Sequence, residues 1–142
     1  MKIKQLSVFL ENRLGHLSHI CQTLAEAEIN ILTLTLADTS EYGILRLIVR
    51  EWEKAKNVLE KANCTVNVVE VMAVEVPDRP GGIDPILQLA ENTGLGIEYM
   101  YAFSQNRGQN AVIIIRFSDL ERAAEVFRDA NIKVLLAEEF YV

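Results

Sequence analysis

Polar and apolar residues alternate through residues 3–10, and apolar ones then recur at Leu17, Ile20, Leu24 and Ala27, the spacing of one helix face. The first pattern predicts a strand and the second an amphipathic helix. Residues 29–37 are rich in β-branched side chains and leucine, Asp38-Thr39-Ser40-Glu41-Tyr42-Gly43 has turn composition, and residues 44–49 are apolar again. That succession predicts a hairpin. Helical spacing returns over residues 53–62 through Ala55, Val58, Leu59 and Ala62, and residues 64–71 read as a further strand. The remainder repeats this order: strand 71–76, helix 83–92, strands 96–104 and 111–117, helix 120–129 and strand 134–141.

The repetition extends to the residues themselves. Glu11-Asn12-Arg13-Leu14-Gly15-His16-Leu17 matches Pro77-Asp78-Arg79-Pro80-Gly81-Gly82-Ile83, and aligning Gly15 with Gly81 gives an offset of 66 that also sets Ile20 on Ile86. Later the offset is 68, with Val58 on Val126 and Ala62-Asn63 on Ala130-Asn131, so the second copy carries two extra residues between about 102 and 110. Solenoid units are roughly 20 to 50 residues long, so a period of this size marks a domain repeat. Each copy reads as βαββαβ. Right-handed crossovers then give an antiparallel sheet with both helices on one face, the ferredoxin-like split βαβ arrangement. The expected class is α+β, with a first domain at 1–70 and a second at 71–142. No Gly/Ser- or Pro-rich tether lies between them, so a fixed mutual orientation is expected. Halves of about 70 residues are near the lower limit for a stable single core and should lean on each other or on a second chain.

Half of the 142 residues are apolar and 24% are charged, a globular composition. The formal net charge of −6 lacks the basic excess that a phosphate backbone requires, so nucleic acid is not an expected partner. No run approaches the roughly 18 to 20 apolar residues that span a bilayer, and residues 1–10 alternate instead of forming the apolar stretch of a secretory leader. No membrane partner is expected. Cys21 and Cys64 do not make a disulfide framework in a chain of this length and are expected to be reduced, in the cytoplasm.

The loop between the first strand and first helix of each copy carries the chemistry. Gly15 and Gly81 permit positive φ and close approach of a ligand to the backbone. The helix that follows offers unpaired N–H groups and its positive dipole end to a carboxylate. Asn12 and Asp78 precede the turn at equivalent positions, with oxygens able to accept from an ammonium group or to cap the helix. The chemistry suits a zwitterion; the bland alternative is a helix-start turn copied along with the rest of the domain.

With two βαββαβ copies, Asp78-Arg79-Pro80-Gly81 before a helix, Asn12-Arg13-Leu14-Gly15 in its twin and Ile29-Asn30-Ile31 entering the second strand, the whole chain resembles a tandem pair of the ACT domain family. The resemblance implies small regulatory modules that bind amino acids at interfaces between two domains, the loop after strand one facing strand two of its neighbour. Carried onto this sequence, the ligand-facing positions are Asn12, Leu14, Gly15, His16 and Asn30 in the first copy. In the second they are Asp78, Arg79, Pro80, Gly81 and Gly82, then Gly96 and Ile97. Leu14 departs from the proline of the family loop. Asp78 favours an α-ammonium by charge-assisted hydrogen bonding, and Gly96, without a side chain, leaves room for a larger ligand. The sites are therefore expected to be unequal, with the second loop the stronger candidate.

Other constellations add little. His16 and His19, with Cys21 nearby, leave a zinc site short of ligands, so they read as an exposed pair at a helix start and no metal is expected. Tyr99, Tyr101 and Phe103 alternate on one sheet face, as in RNA-binding platforms, but the acidic charge favours packing against another sheet or chain. The serines have no nucleophile-elbow context, and neither a Cys-x-x-Cys nor a phosphate loop occurs. A catalytic use of His16 and Asp78 would join residues of different copies without a nucleophile. The expectation is a non-enzymatic, cofactor-free sensor of a free amino acid, a homodimer through exposed sheet edges. The alternative is a structural dimerisation or interaction module with no small-molecule ligand.

Overall fold

The computed structural model describes residues 2–11, 13–38 and 41–141, with the backbone alone at 38 and 104–107. The elements are β1 (Ile3–Glu11), α1 (His16–Glu26), β2 (Ile31–Asp38), β3 (Tyr42–Val49), α2 (Trp52–Lys61), β4 (Thr65–Pro77), α3 (Asp84–Thr93), β5 (Ile97–Arg107), β6 (Asn110–Phe117), α4 (Leu120–Asp129) and α5 (Ala137–Phe140). They divide into two compact units, Lys4–Val69 and Glu70–Val142 with Met1–Ile3. The division falls inside β4, a continuous 13-residue strand where the sequence pattern gave two strands meeting near residue 71.

In the first unit the strand order is β2-β3-β1-β4. Both β1 and β2 pair antiparallel with β3, Val8 and Leu36 each opposite Leu45, so these side chains share a face. Leu6, Val8, Leu10, Leu47 and Val49 lie on the same face, and Ile20 and Leu24 of α1 with Ala55 and Leu59 of α2 close over it. The four-residue spacing within each helix turns both of its buried side chains to the sheet. Each buried leucine or isoleucine contributes about 1.5–3 kcal/mol.

The second unit repeats the plan with the order β4-β6-β5. Met72, Val74 and Val76 alternate inward beside Ile113, Ile115 and Phe117. Ile86 and Ala90 of α3 with Ala123 and Phe127 of α4 cover them, Phe117 and Phe127 meeting edge to face at 5.4 Å between centroids. Both units are thus ferredoxin-like, with antiparallel sheets and the helices on one face. The duplication also shows in the backbone, since Asn63 and Asn131 both adopt left-handed φ, 67° and 57°, after α2 and α4. The next amide reaches back identically, Cys64 N–H to Leu59 O and Ile132 N–H to Phe127 O, each at 3.0 Å.

Residues 134–141, expected to be a strand, form a single bridge followed by a short helix. Val134 lies opposite Val74, flanked by Glu75 N–H to Lys133 O at 3.2 Å and Leu135 N–H to Ala73 O at 2.8 Å. The chain then turns into α5, where the Glu139 carboxylate accepts the Leu136 N–H at 3.1 Å. The reason is spacing. Leu135 and Phe140 are both fully buried, yet five residues apart they would point to opposite faces of a strand. One helical turn of strong helix formers brings both inward.

This turn settles the aromatic alternation of β5. Tyr99, Tyr101 and Phe103 pair with Arg116, Ile114 and Val112, on the face opposite α3 and α4. At Phe103 that face is covered by the unit's own last helix, the Phe140 ring lying 5.2 Å away. The two extra residues of the second copy fall where β5 shifts register, between Phe103 and Arg107.

Candidate ligand-binding site

In the first unit β1 delivers the chain to a tight turn in which Arg13 N–H donates to Glu11 O at 2.8 Å and His16 N–H to Arg13 O at 3.3 Å. Gly15 closes it with φ of 88°, a left-handed conformation that glycine adopts without strain. Gly15 caps α1 with no side-chain hydrogen bond, and the first turn of α1 holds no acidic residue. The helix therefore begins with its positive dipole end uncompensated by described side chains. His16 Nδ1 accepts the Glu11 N–H at 3.2 Å, which fixes the ring against the end of β1 and, in the neutral ring, leaves the proton on Nε2. A small cleft of about 110 Å³ opens there, lined by Leu10, Glu11, Arg13, His16, Leu17 and Leu36 with Gly43. Arg13 is drawn to Glu11, Nε to Oε2 at 3.5 Å. Leu14 stands fully exposed at the tip of the loop.

The second loop is wound more tightly. Arg79 N–H donates to Pro77 O and Gly82 N–H to Arg79 O, both at 3.0 Å, and Gly81 takes φ of 79°. A Cβ on Gly82 would lie 2.0 Å from Pro77 O, so the loop closes on itself only with glycine there. Unlike α1, α3 opens with Asp84 and Pro85. The carboxylate answers the helix dipole and the proline removes one amide donor, in contrast to the start of α1. What the second loop offers instead is side chains: Asp78 and Arg79 line a hollow with Gln109 and Asn110.

The remaining candidates are placed less centrally. Asn12 lies outside the described residues. Asn30 is exposed and lines a separate hollow with Leu32, Arg50 and Glu51, away from the loop of its own unit. Gly96 has a local explanation. Its Cβ position lies 2.8 Å from Ser118 Oγ, and its carbonyl accepts the Ser118 N–H at 2.9 Å, so a side chain here would meet Ser118. Ile97 is half-buried against the second core, and Pro80 is exposed. His19 contacts Ala62 O through Nε2 at 3.4 Å, tying α1 to the end of α2. Cys21 and Cys64 are free thiols, and burial pushes the Cys64 thiol up. No group of three metal-ligating side chains gathers among the described residues. The sequence pattern missed Glu11, Arg13, Leu36, Gln109 and Asn110, because strand ends and hairpin turns meet the loops only once the sheet register is set.

The order of elements, the repeated glycine turn and the paired sheets find their counterpart in one family. A sequence model of the ACT domain pair matches residues 1–141. The chain belongs to the ACT domain family. Its fold matches the crystal structure of a protein from Bacteroides thetaiotaomicron with a TM-score of 0.92 at 35% identity, covering 99% of this chain and 96% of that one. The regulatory subunit of aspartate kinase from Thermus thermophilus matches at TM-score 0.64 and 17% identity, with 90% of each chain covered. That from Thermus flavus matches at 0.65 and 16%, again over 90% of each. At these identities the two aspartate kinase subunits share the fold alone. No curated protein matches in sequence. As an ACT domain pair the chain is of a regulatory family, and no described helix is long and apolar enough to cross a membrane.

Proposed function

We propose that this ACT domain pair is a non-enzymatic cytoplasmic sensor that binds a free amino acid at its strand-to-helix loops, in a site completed by a second copy of the chain. The observation that carries the reading is the uncapped start of α1 beside the cleft of Leu10, His16 and Leu36. A ligand carboxylate there meets helix N–H donors and the dipole. Its ammonium group faces Glu11, and an apolar side chain contacts Leu17 and Leu36. At about 110 Å³ the cleft is smaller than the roughly 300–1,000 Å³ of complete ligand pockets. It supplies half a site.

The second copy is recruited through β2. This strand ends the strand order, carries no charge from Ile31 to Ala37 and leaves Leu34 and Leu36 about half exposed, 47% and 46%. An uncharged open edge invites pairing with another strand. Antiparallel pairing of β2 with its copy carries Asn30 and Arg50 of one protomer toward the loop end of its partner's sheet. Ligand atoms then bridge two chains, and occupancy shifts the equilibrium between their arrangements.

Ser18→Glu tests the site. Ser18 is exposed in the first turn of α1. A glutamate there answers the dipole and supports the helix by about 0.5 kcal/mol, while occupying the place of the ligand carboxylate. Folding stability is expected to hold or rise slightly as amino-acid affinity drops about tenfold, which is about 1.4 kcal/mol. Unchanged affinity would remove α1 from the site. A pure dimerisation module would show no amino-acid binding before or after the substitution.

A further inference from the structure

The two units differ on the sheet face turned away from their helices. In the second unit the segment after α4 folds back onto that face, and Phe140 lies against Phe103. In the first unit the residues after α2 run straight into β4 instead. The strand register shows which side chains this leaves. Phe9 and Glu11 of β1 stand opposite Ile44 and Tyr42 of β3, and Ala37 of β2 also stands opposite Ile44. Val8, Leu45 and Leu36 face the helices, so alternation turns all of these outward.

The Phe9 and Tyr42 rings stack at 5.2 Å between centroids, yet remain 44% and 42% exposed. Their counterparts in the second unit, at offsets of 66 and 68, are Glu75 and Asn110, a polar pair joined at 3.2 Å. Copying the domain therefore does not account for the aromatic pair. One copy places polar groups at these positions, and the other places a ridge of two rings.

We infer that a second copy of the chain covers this face, two first units meeting face to face. The shape is self-complementary. Ala37, Ile44 and Phe9 form one row across β2, β3 and β1, rising from small to large. A two-fold axis through the middle of the row sets each Phe9 over the other chain's Ala37, with the sheets about 10 Å apart. The charges agree. The row itself is uncharged, whereas the whole chain carries −6, so two copies approach here with least repulsion. Glu11 and Arg13, 3.5 Å apart at the rim, offer each copy one charge of either sign. Three strands about 4.8 Å apart and five residues of about 3.3 Å give a footprint of roughly 240 Å² per chain. Standard interfaces bury about 800 Å² per partner, so this contact is weak and depends on concentration. It goes beyond the sensor reading. Edge pairing through β2 extends a sheet, whereas this contact stacks one sheet on another, so β2-paired dimers would join as tetramers.

Sedimentation equilibrium of the full-length chain, from micromolar to millimolar concentration, tests this. At the upper end the wild-type mass should be twice that of Phe9→Thr/Tyr42→Thr, two changes at exposed positions to a residue that suits strands. Ala37→Arg, which fills the trough with a charged side chain, should halve the mass as well, and Tyr42→Phe should keep it. With β2 pairing the comparison is tetramer against dimer, and without it dimer against monomer, so the factor of two reads this face alone. Equal masses for the wild type and both disruptive variants, each with the wild-type circular dichroism spectrum, would overturn the inference. Neither Phe9 nor Tyr42 lines the cleft beside α1. Failure of every amino acid to bind would therefore remove the sensor function and leave this contact standing.

Discussion

Gly82→Ala is expected to destabilise the second unit by about 3 kcal/mol and to open its loop, because the new methyl group would meet backbone rather than a movable side chain. Pro77 O lies 2.0 Å from the required Cβ position and Arg79 O lies 3.1 Å from it. Neither carbonyl can turn away without giving up the Arg79 N–H to Pro77 O and Gly82 N–H to Arg79 O bonds that wind the loop. Gly81→Ala is the internal comparison. Its position is left-handed but open, the nearest atom being Asp84 Oδ2 at 3.9 Å. It should cost only the conformational strain, about 1 kcal/mol. Urea unfolding of the two variants measures the difference. Equal losses would show that the clash is relieved by a shift elsewhere in the loop.

The contrast between these neighbouring glycines shows what the sequence could convey. Gly15 and Gly81 were legible as turn residues because a duplicated glycine before an amphipathic run marks a required conformation, and both are left-handed. Gly82 was not distinguishable from Gly81, since its constraint comes from a carbonyl five residues back, brought close only by the folded loop. The constraint on Gly96 was hidden for a related reason: its partner, Ser118, is 22 residues away. Hydrophobic alternation marked the inward face of β1, where Leu6, Val8 and Leu10 are core residues. It failed at the C-terminus, where the first copy was a poor guide to the second. Leu135 and Phe140 carry the burial there at a spacing no strand supports.

Phe140→Ala should be the more costly change, about 3–5 kcal/mol, as for other fully buried aromatic residues cut to alanine. Phe140 is buried against Phe103 with Tyr141 edge-on at 5.5 Å, and it anchors the whole segment that runs back along β4. The ion pairs of Lys133 with Glu75 and Glu139 lie on its side with the lysine 59% exposed, and solvent-facing pairs contribute about 0–1 kcal/mol each, too little to replace the ring. The amides of Glu75 and Leu135, bonded across this segment, should lose protection from hydrogen exchange together. A loss below about 1 kcal/mol, against the usual aromatic truncation cost, with both amides still protected, would mean that the segment is held by something other than its final aromatic.

The two loops, similar in sequence, part company in chemistry. At the first, the start of α1 is uncapped and Leu10, Leu17 and Leu36 line the cleft beside it. At the second, α3 opens with Asp84 and Pro85, and Asp78 and Arg79 line a hollow with Gln109 and Asn110 of the hairpin turn. Duplication supplied the scaffold, and Pro77 and Asp84 stand where the first copy has Glu11 and Ser18.

Calorimetric titration of the unmodified chain with each of the twenty common amino acids is the most direct test of the account. It predicts saturable binding of at least one amino acid, weakened by Ser18→Glu. Absence of binding by all of them at millimolar concentration would contradict it and leave an ACT domain pair that only joins chains.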